Sequence, residues 1–208
     1  MSKVPAVLRS KLLQVAMGFA VGATTYVAID QPAKPSQAVQ LAMELGAHYE
    51  SSGRHIGVPY VDRLGAGQPL TVCNGVTGPE VVAGRYYSKD DCYRLELPKY
   101  LEAERAAKRM FKHWSTYNHW VQASFLDMLY NVGEAKVAGS SLLRLANAGD
   151  LEAACAQMPR WVRGTVNGQS VALPGLVDRR TTTAELCRDW GRDGHFSNAQ
   201  LRSAAGDR

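Results

Sequence analysis

The sequence lacks several features by which whole classes of protein are recognised. It contains no collagen-like period, heptad array or solenoid repeat, and its four cysteines form no CxxC or other metal-ligand spacing. We therefore expect neither a fibrous or repeat protein nor a bound metal or other cofactor. Only 21% of the 208 residues are charged and 8% are aromatic, but 46% are hydrophobic. The chain can thus bury a core large enough for one substantial domain.

A strongly basic domain is also missing. The net charge of +5 divides into +2 in residues 1–30, +2 in residues 31–187 and +1 in the remaining tail. A mildly basic body suits an anionic cell-wall polymer. One modest basic patch lies among acidic residues without stacking aromatics, so we expect no nucleic-acid partner; its members are Arg105, Lys108, Arg109 and Lys112.

Residues 12–29 contain no charged residue. As a helix they would rise about 27 Å, marginally enough to cross a hydrocarbon core. Lys3, Arg9 and Lys11 precede this run and Asp30 follows it, which predicts an N-in orientation with an exported body. Half of the run is Ala, Gly, Thr and Gln. Its free energy of membrane insertion should therefore be slight.

Three interpretations of this run are open. A cleaved signal peptide fits the basic start, although no Ala-x-Ala site stands near Ala28. An amphipathic core helix would fit a soluble protein, and a weak, uncleaved membrane anchor is the interpretation that we favour. Beyond it, the prolines of residues 31–37 predict a linker, residues 38–190 a single domain and residues 191–208 a polar tail.

The patterning of the body predicts an α+β fold. Short β-type pieces between recurring glycines indicate a small antiparallel sheet within residues 51–77. Residues 167–168, an Asn-Gly pair, predict a hairpin or loop tip. Hydrophobic spacing and capping signals predict helices over residues 36–49, 90–110, 140–147, 151–157 and 178–190. An apolar stripe over residues 120–129 predicts the buried face of a central helix that ends shortly before Gly133. We expect a cleft between the sheet lobe and the helical lobe.

The cysteines bear on the compartment. In an exported body, Cys73, Cys92, Cys155 and Cys187 favour two disulfide bonds, for which three pairings are possible. In a cytosolic protein they would be four buried thiols. No histidine has an obvious triad context, so a catalytic cysteine is disfavoured.

Two acids and a hydroxyl are the candidates for chemistry. Glu50 ends the first predicted helix, where partly apolar surroundings favour a general acid. Asp62 and Thr71 lie in the predicted sheet, where a carboxylate and a hydroxyl can hold an attacking water. Glycoside hydrolysis needs this division of labour. Spacing alone indicates it only weakly, because two acids twelve positions apart are more often a solvated pair.

A collinear series of motifs follows these residues. It comprises YVD at 60–62, LTVCNGVTG at 70–78, GRYYSKDDC at 84–92, FLDMLYNVG at 125–133, SSLLR at 140–144, NAG at 147–149, RW at 160–161 and PGLVDRR at 174–180. In this order the motifs resemble the phage lysozymes of glycoside hydrolase family 24, over about residues 44–190. The resemblance implies a lysozyme-like fold and a muramidase that cleaves peptidoglycan for host lysis.

Site roles follow from the resemblance. Glu50 would protonate the glycosidic oxygen between N-acetylmuramic acid and N-acetylglucosamine, and Asp62 and Thr71 would orient the attacking water, with inversion. Asn131 and Arg180 would contact substrate. For Arg180 and its neighbour Arg179, ion pairs on a helix surface are the favoured alternative.

Within this family the chain is most similar to the lambdoid signal-arrest-release (SAR) endolysins. That similarity implies the pairs Cys73–Cys92 and Cys155–Cys187. It also implies a monomer tethered to the host inner membrane through residues 12–29, with a periplasmic body that is later released. The anchor has no cysteine, so thiol exchange is not available to activate the enzyme. We expect instead that membrane residence holds the Glu50 helix away from its working position.

The chain departs from the family pattern near the candidate site. The Glu50–Asp62 and Asp62–Thr71 intervals are each three positions longer than usual, and Asn74 and Val76 replace a common Tyr and His. Glu44 is an alternative acid, although Glu50 fits the register better. Other functions to distinguish are a lytic transglycosylase and an inactive, membrane-anchored peptidoglycan-binding protein.

Overall fold

The computed structural model describes residues 34–62, 67–166 and 168–188. The chain divides into two compact units at Lys34 and Pro35, and the second unit contains every element described below. In the ranges that the structure covers, no helix is long and apolar enough to cross a membrane. The predicted span at residues 12–29 and the predicted tail at residues 191–208 lie outside those ranges.

Seven α-helices, two short 3-10 turns and five strands make up the described part of the chain. The helices are α1 (Gln37–Ser51), α2 (Lys89–Met110), α3 (His119–Val132), α4 (Glu134–Ala138), α5 (Ser141–Asn147), α6 (Leu151–Cys155) and α7 (Pro174–Arg188). The strands are β1 (Tyr60–Val61), β2 (Leu70–Val72), β3 (Val76–Thr77), β4 (Arg163–Val166) and β5 (Gln169–Ala172). The 3-10 turns are Trp114–Thr116 and Met158–Arg160.

Helix α1 brings Glu50 to the site. It begins after Ser36, whose hydroxyl accepts a hydrogen bond from the Val39 N–H and so satisfies a free helix-end donor. Its apolar face, which includes Val39 and Leu45, is fully buried against α3 and α2. The helix ends at Ser51, two residues beyond the predicted end, because Ser52 adopts the left-handed conformation that terminates helices.

Helix α2 links the two lobes. The predicted N-terminal signal is confirmed: Ser88 and Asp91 form a reciprocal capping box. Pro98 lies inside the helix. Cys92 and Glu96, one turn apart, are buried on the side of α2 that meets the sheet, whereas Tyr100 and Ala107 join the helical core.

The helical core surrounds α3. This helix is capped by Asn118, which accepts hydrogen bonds from two backbone N–H groups, and it ends at Gly133 with φ of 93°. Residues 121–129 of α3 contribute an almost continuously buried segment that packs against α1, α2 and α7. Because α3 is enclosed on several sides, its few polar side chains must find partners inside the protein.

The sheet lobe is small. Strands β1, β2 and β3 form an antiparallel sheet in that order, with Tyr60 opposite Thr71 and Val72 opposite Val76. The sheet has its own buried cluster, which consists of Val72, Cys73, Val76, Val81, Tyr87 and Cys92. The α+β architecture with a small antiparallel sheet is therefore confirmed.

The disulfide pairing that the resemblance implied is present. Cys73 is bonded to Cys92, within the sheet lobe and across to α2. Cys155 is bonded to Cys187, which ties α6 to α7.

Besides α1, two helix predictions were wrong at one end. Helix α7 begins at Pro174 rather than at residue 178, because proline suits the first helical position, where its missing N–H costs nothing. Helix α6 stops at Cys155, and a 3-10 turn follows it. The predicted hairpin at residues 167–168 is confirmed, because Val166 pairs with Gln169 across it.

Candidate active site

Glu50 lies at the C-terminal end of α1, and its side chain is 29% exposed. Its Oε1 atom accepts a hydrogen bond from Nη1 of Arg179, which lies on α7. The side-chain amide of Asn131, at the end of α3, donates to the same oxygen at 3.5 Å. Two helices thus orient a carboxylate that solvent still reaches.

Asp62 and Thr71 meet at one backbone carbonyl. The Asp62 N–H donates to the Pro69 oxygen at 3.0 Å, and the Thr71 hydroxyl donates to the same oxygen at 3.2 Å. Asp62 lines the cleft described below, whereas Thr71 is only 2% exposed. The hydroxyl proton of Thr71 is engaged by Pro69, and Thr71 is not among the residues that line the cleft.

The two acids line one cleft of about 500 Å³. Its other walls come from the β2–β3 turn, α2, α3 and the start of α4; they comprise Asn74, Gly75, Lys99, Glu102, Ala103, Ala106, Leu129, Tyr130, Asn131 and Glu134. Because the side chains of Ala103 and Ala106 are small, α2 occupies little space on its side of the cleft. The predicted cleft between a sheet and a helical lobe is thereby present, with Glu50 and Asp62 on its two sides.

The Tyr60 hydroxyl interacts electrostatically with both acids. Burial raises the pKa of its hydroxyl, and the charges of Asp62 and Glu50 raise it further. The two carboxylates therefore act on the same phenol, which itself remains 43% exposed.

Behind Glu50 lies a buried ion network centred on Asp127 of α3, which is 1% exposed. Arg179 donates to Asp127 from Nε at 3.0 Å and from Nη2 at 2.7 Å, and Arg180 donates from Nη1 at 2.7 Å. The Thr183 hydroxyl lies 3.3 Å from the Asp127 carboxylate, but its proton has a closer acceptor in the Arg179 backbone carbonyl. The expectation of surface ion pairs at Arg179 and Arg180 was wrong, because both side chains are buried and face α3 rather than solvent.

Burial and the neighbouring charges together determine how the pKa values of this network are shifted. Burial alone would raise the pKa of Asp127, but the two guanidinium groups outweigh burial and lower it. Burial likewise opposes the charge of Arg179, yet the adjacent Asp127 and Glu50 carboxylates raise its pKa. For Arg180 burial dominates, and its pKa is lowered. Asp127 thus remains ionised and fixes both arginines.

The residues predicted to bind substrate occupy different depths. Asn131 lines the cleft. Arg180 is fully buried and donates from Nη2 to the Asn131 side-chain oxygen. The structure therefore gives Arg180 an indirect position, in which it orients Asn131 and has no exposed surface for a glycan.

Sequence reasoning missed two residues behind the site, Asp127 and Glu96. Asp127 carries a signal that could have revealed it, because it interrupts the apolar stripe of α3 while two consecutive arginines stand on α7. Glu96 carries none, because it lies on a helix rich in exposed charge. The resemblance placed Asn74 and Val76 where the family has Tyr and His, and the structure shows a sheet-to-helix contact made by Asn74 with Glu96.

One cluster in the described ranges has the composition of a metal site: Cys73, Cys92 and Glu96. Both of its sulfur atoms are joined in a disulfide bond, so they cannot act as thiolate ligands. This cluster does not fit a metal ion.

Comparison with known proteins identifies relatives and structures with the same fold. The SAR-endolysin of Enterobacteria phage P21 is 32% identical over 135 residues, which cover 65% of this chain and 76% of that protein. Two solved structures share the fold: the endolysin from Escherichia coli O157:H7 phage FAHEc1 and the active form of the P1 phage endolysin. The first has a TM-score of 0.63 at 18% identity and covers 74% of this chain and 92% of its own. The second has a TM-score of 0.62 at 19% identity and covers 94% of this chain and 100% of its own.

The family assignment rests on a match that spans most of the domain. Residues 56–183, more than half of the chain, match the family model described as Phage lysozyme. The chain therefore belongs to the phage lysozyme family and is a glycoside hydrolase of the endolysin type that acts on peptidoglycan.

Proposed function

We propose that this lysozyme hydrolyses the β-1,4 bond between N-acetylmuramic acid and N-acetylglucosamine with Glu50 as general acid. Asp62 and Thr71 hold the attacking water. The observation that carries the proposal is that Glu50 and Asp62 come from different lobes and line one cleft. Family membership supports the substrate, and the partial exposure of Glu50 lets its carboxyl group reach a glycosidic oxygen.

In the proposed reaction the glycosidic oxygen takes the proton of Glu50 as its bond to the anomeric carbon breaks. A water molecule attacks that carbon from the opposite face and passes its proton to Asp62, so the configuration inverts. Before each turnover Glu50 must take up a proton. Arg179 competes with this proton, because its guanidinium group donates a hydrogen bond to an oxygen of the Glu50 carboxylate.

The test is Glu50→Gln, which keeps the shape of the side chain and removes its acidic proton. We expect the folded variant to lose lysis of outer-membrane-permeabilised cells, whereas the control Glu44→Gln, on the same helix, retains it. Mass spectrometry of wild-type digests should show reducing N-acetylmuramic ends. A folded and fully active Glu50→Gln variant would refute the assignment, and 1,6-anhydro ends would indicate a lytic transglycosylase instead.

We also propose that residues 12–29 tether the enzyme to the host inner membrane, with the body in the periplasm, until it is released as a monomer. The SAR-endolysin relatives support release into the periplasm, and the charges that flank the run support its orientation. While the segment spans the bilayer, the Glu50 helix is held away from its working position.

Deletion of residues 1–30 tests whether the N-terminal segment only anchors the enzyme or also controls its activity. We expect the full chain to fractionate first with the inner membrane and the shortened chain to remain in solution. If membrane residence and release control the Glu50 helix, the shortened enzyme should also be less active than the released full chain. Equal activities would reduce the segment to a tether, and a full chain that never enters the membrane fraction would contradict the proposal.

A further inference from the structure

The turn between β2 and β3 forms the cleft wall beside Glu50. Asn74 and Gly75 both line the cleft, and a Cβ atom added to Gly75 would lie 3.9 Å from Oε2 of Glu50. Cys73 and Gly75 have φ values of 56° and 83°, so the left-handed backbone region is used on both sides of Asn74. A displacement of this turn would change where a glycan lies relative to Glu50.

Two helices hold Asn74 at three of its atoms. Glu96 of α2 accepts hydrogen bonds from the Asn74 backbone N–H at 3.0 Å and from its side-chain amide at 3.1 Å. Tyr130 of α3 donates its hydroxyl proton to the Asn74 carbonyl oxygen at 2.9 Å. The adjacent Cys73 is bonded to Cys92, one helical turn before Glu96. The β2–β3 turn is thus fixed to α2 and α3, the two long helices that line the cleft.

Burial of the Glu96 carboxylate at this position carries a desolvation cost. The residue is 5% exposed and, among the residues that the structure describes, forms no salt bridge. Burial raises the pKa of its carboxyl group; the two contacts from Asn74 and the charge of His55 oppose that rise, and the charge of Glu50 adds to it. An apolar side chain at this position would avoid the desolvation cost. Both hydrogen bonds that the Glu96 carboxylate accepts come from one residue of the cleft wall, Asn74, which indicates a role beyond stability.

We propose that Glu96 is a positioning residue of this lysozyme, which acts through Asn74 to fix the β2–β3 turn and so aligns the bound glycan with Glu50. The inference rests on the proposed role of Glu50. Glu96 lies behind the turn and does not touch the substrate.

The test compares two substitutions at Glu96. Glu96→Met fills similar space without an acceptor, so it releases both contacts to Asn74. Glu96→Gln can keep both contacts, because rotation of the Asn74 amide presents its oxygen to the new amide donor. On soluble, uncross-linked glycan strands we expect Glu96→Met to lower kcat by about tenfold or more with KM within about twofold, because small misplacements of reacting groups are costly. Glu96→Gln should keep kcat within about threefold of the wild type.

Glu104→Met is the matched control. Glu104 lies on the same helix and contacts Ser36 and Lys108, away from the turn. It should leave kcat within about twofold of the wild-type value. If Glu96→Met does not accumulate as folded protein, Glu96→Ala replaces it in the comparison. Wild-type kcat in a folded Glu96→Met or Glu96→Ala variant would overturn the proposal, and so would equal losses in Glu96→Gln and Glu96→Met.

A double-mutant cycle tests the route through Asn74. If Glu96 acts only through the turn, Asn74→Ala should lower kcat in the wild type but add little to Glu96→Met. Additive losses would contradict this route. An active Glu50→Gln variant would refute the proposed acid and leave these ratios unchanged, so the two proposals fail separately.

Discussion

The helical lobe and the sheet lobe hold their halves of the cleft in different ways. The helical lobe positions Glu50 through the large buried core around α3 and through the Asp127 ion network. The sheet lobe has strands of two or three residues and a cluster of six buried residues. Its turn beside Glu50 is held by one disulfide bond and by a few hydrogen bonds.

This difference separates stability from alignment. Damage in the helical lobe should unfold the domain, because its core and its charges are shared by several helices. Damage to the links of the sheet lobe should move Asp62 or Asn74 relative to Glu50 while most of the protein stays folded. Catalysis should therefore be the more sensitive measure for the sheet lobe, and unfolding the more sensitive measure for the helical lobe.

The largest expected effect comes from Asp127→Asn. The substitution leaves Arg179 and Arg180 without their buried counter-charge, which should lower the free energy of unfolding by roughly 3–5 kcal/mol. Urea unfolding at neutral pH measures the loss. Asp178→Asn, at an exposed position next to Arg179, should stay within about 0.5 kcal/mol of the wild type. A loss below about 1 kcal/mol at Asp127 would show that the network contributes little to the helical lobe.

The same carboxylate predicts acid sensitivity. Because the folded protein lowers the pKa of Asp127, its contribution is present above the ordinary aspartate value near 3.8 and is lost as pH falls through the lowered value. Acid unfolding of the wild type should therefore be steeper below about pH 4 than that of Asp127→Asn. Parallel unfolding curves of the two proteins would contradict this assignment.

The two disulfide bonds compare the lobes directly. They close loops with sequence separations of 19 and 32 residues, so each should stabilise the fold by roughly 3 kcal/mol, with Cys155–Cys187 stronger by a few tenths. We expect the paired substitution Cys73→Ala/Cys92→Ala to lower the lysis rate of the remaining folded enzyme more than Cys155→Ala/Cys187→Ala does. Thermal unfolding and lysis rates below both melting temperatures check this. Equal losses of activity would remove the distinction between the lobes.

The smallest expected effect concerns the pH dependence of stability at Glu96. Because the folded state raises its pKa, the folded protein binds the proton more tightly, and stability falls as pH rises from the ordinary glutamate value near 4.5 through the raised value. Glu96→Gln removes this titration, so its melting temperature relative to the wild type should increase between about pH 4 and pH 8. A constant difference across that range would show that Glu96 does not titrate differently on folding.

Local features of this fold were predictable from sequence, whereas buried polar contacts were not. The cap of α2 follows from the short-range pattern at Ser88, and most of α1 follows from its hydrophobic spacing, although the helix continues two residues beyond the predicted end. The contact between Asp127 and Arg179 joins residues 52 positions apart, and the apolar stripe of α3 that Asp127 interrupts does not show which residue pairs with it. For this reason Arg179 and Arg180 were assigned to a helix surface. Glu96 was missed for the same reason, since its partner Asn74 lies 22 positions away across the lobe boundary.

Arg179 links the buried ion network to the proposed acid, because one guanidinium group contacts both Asp127 and Glu50. Lysine offers a single ammonium group and cannot reproduce a planar donor set that meets two carboxylates. Any substitution at Arg179 should therefore disturb the stability of the domain and the position of Glu50 at the same time.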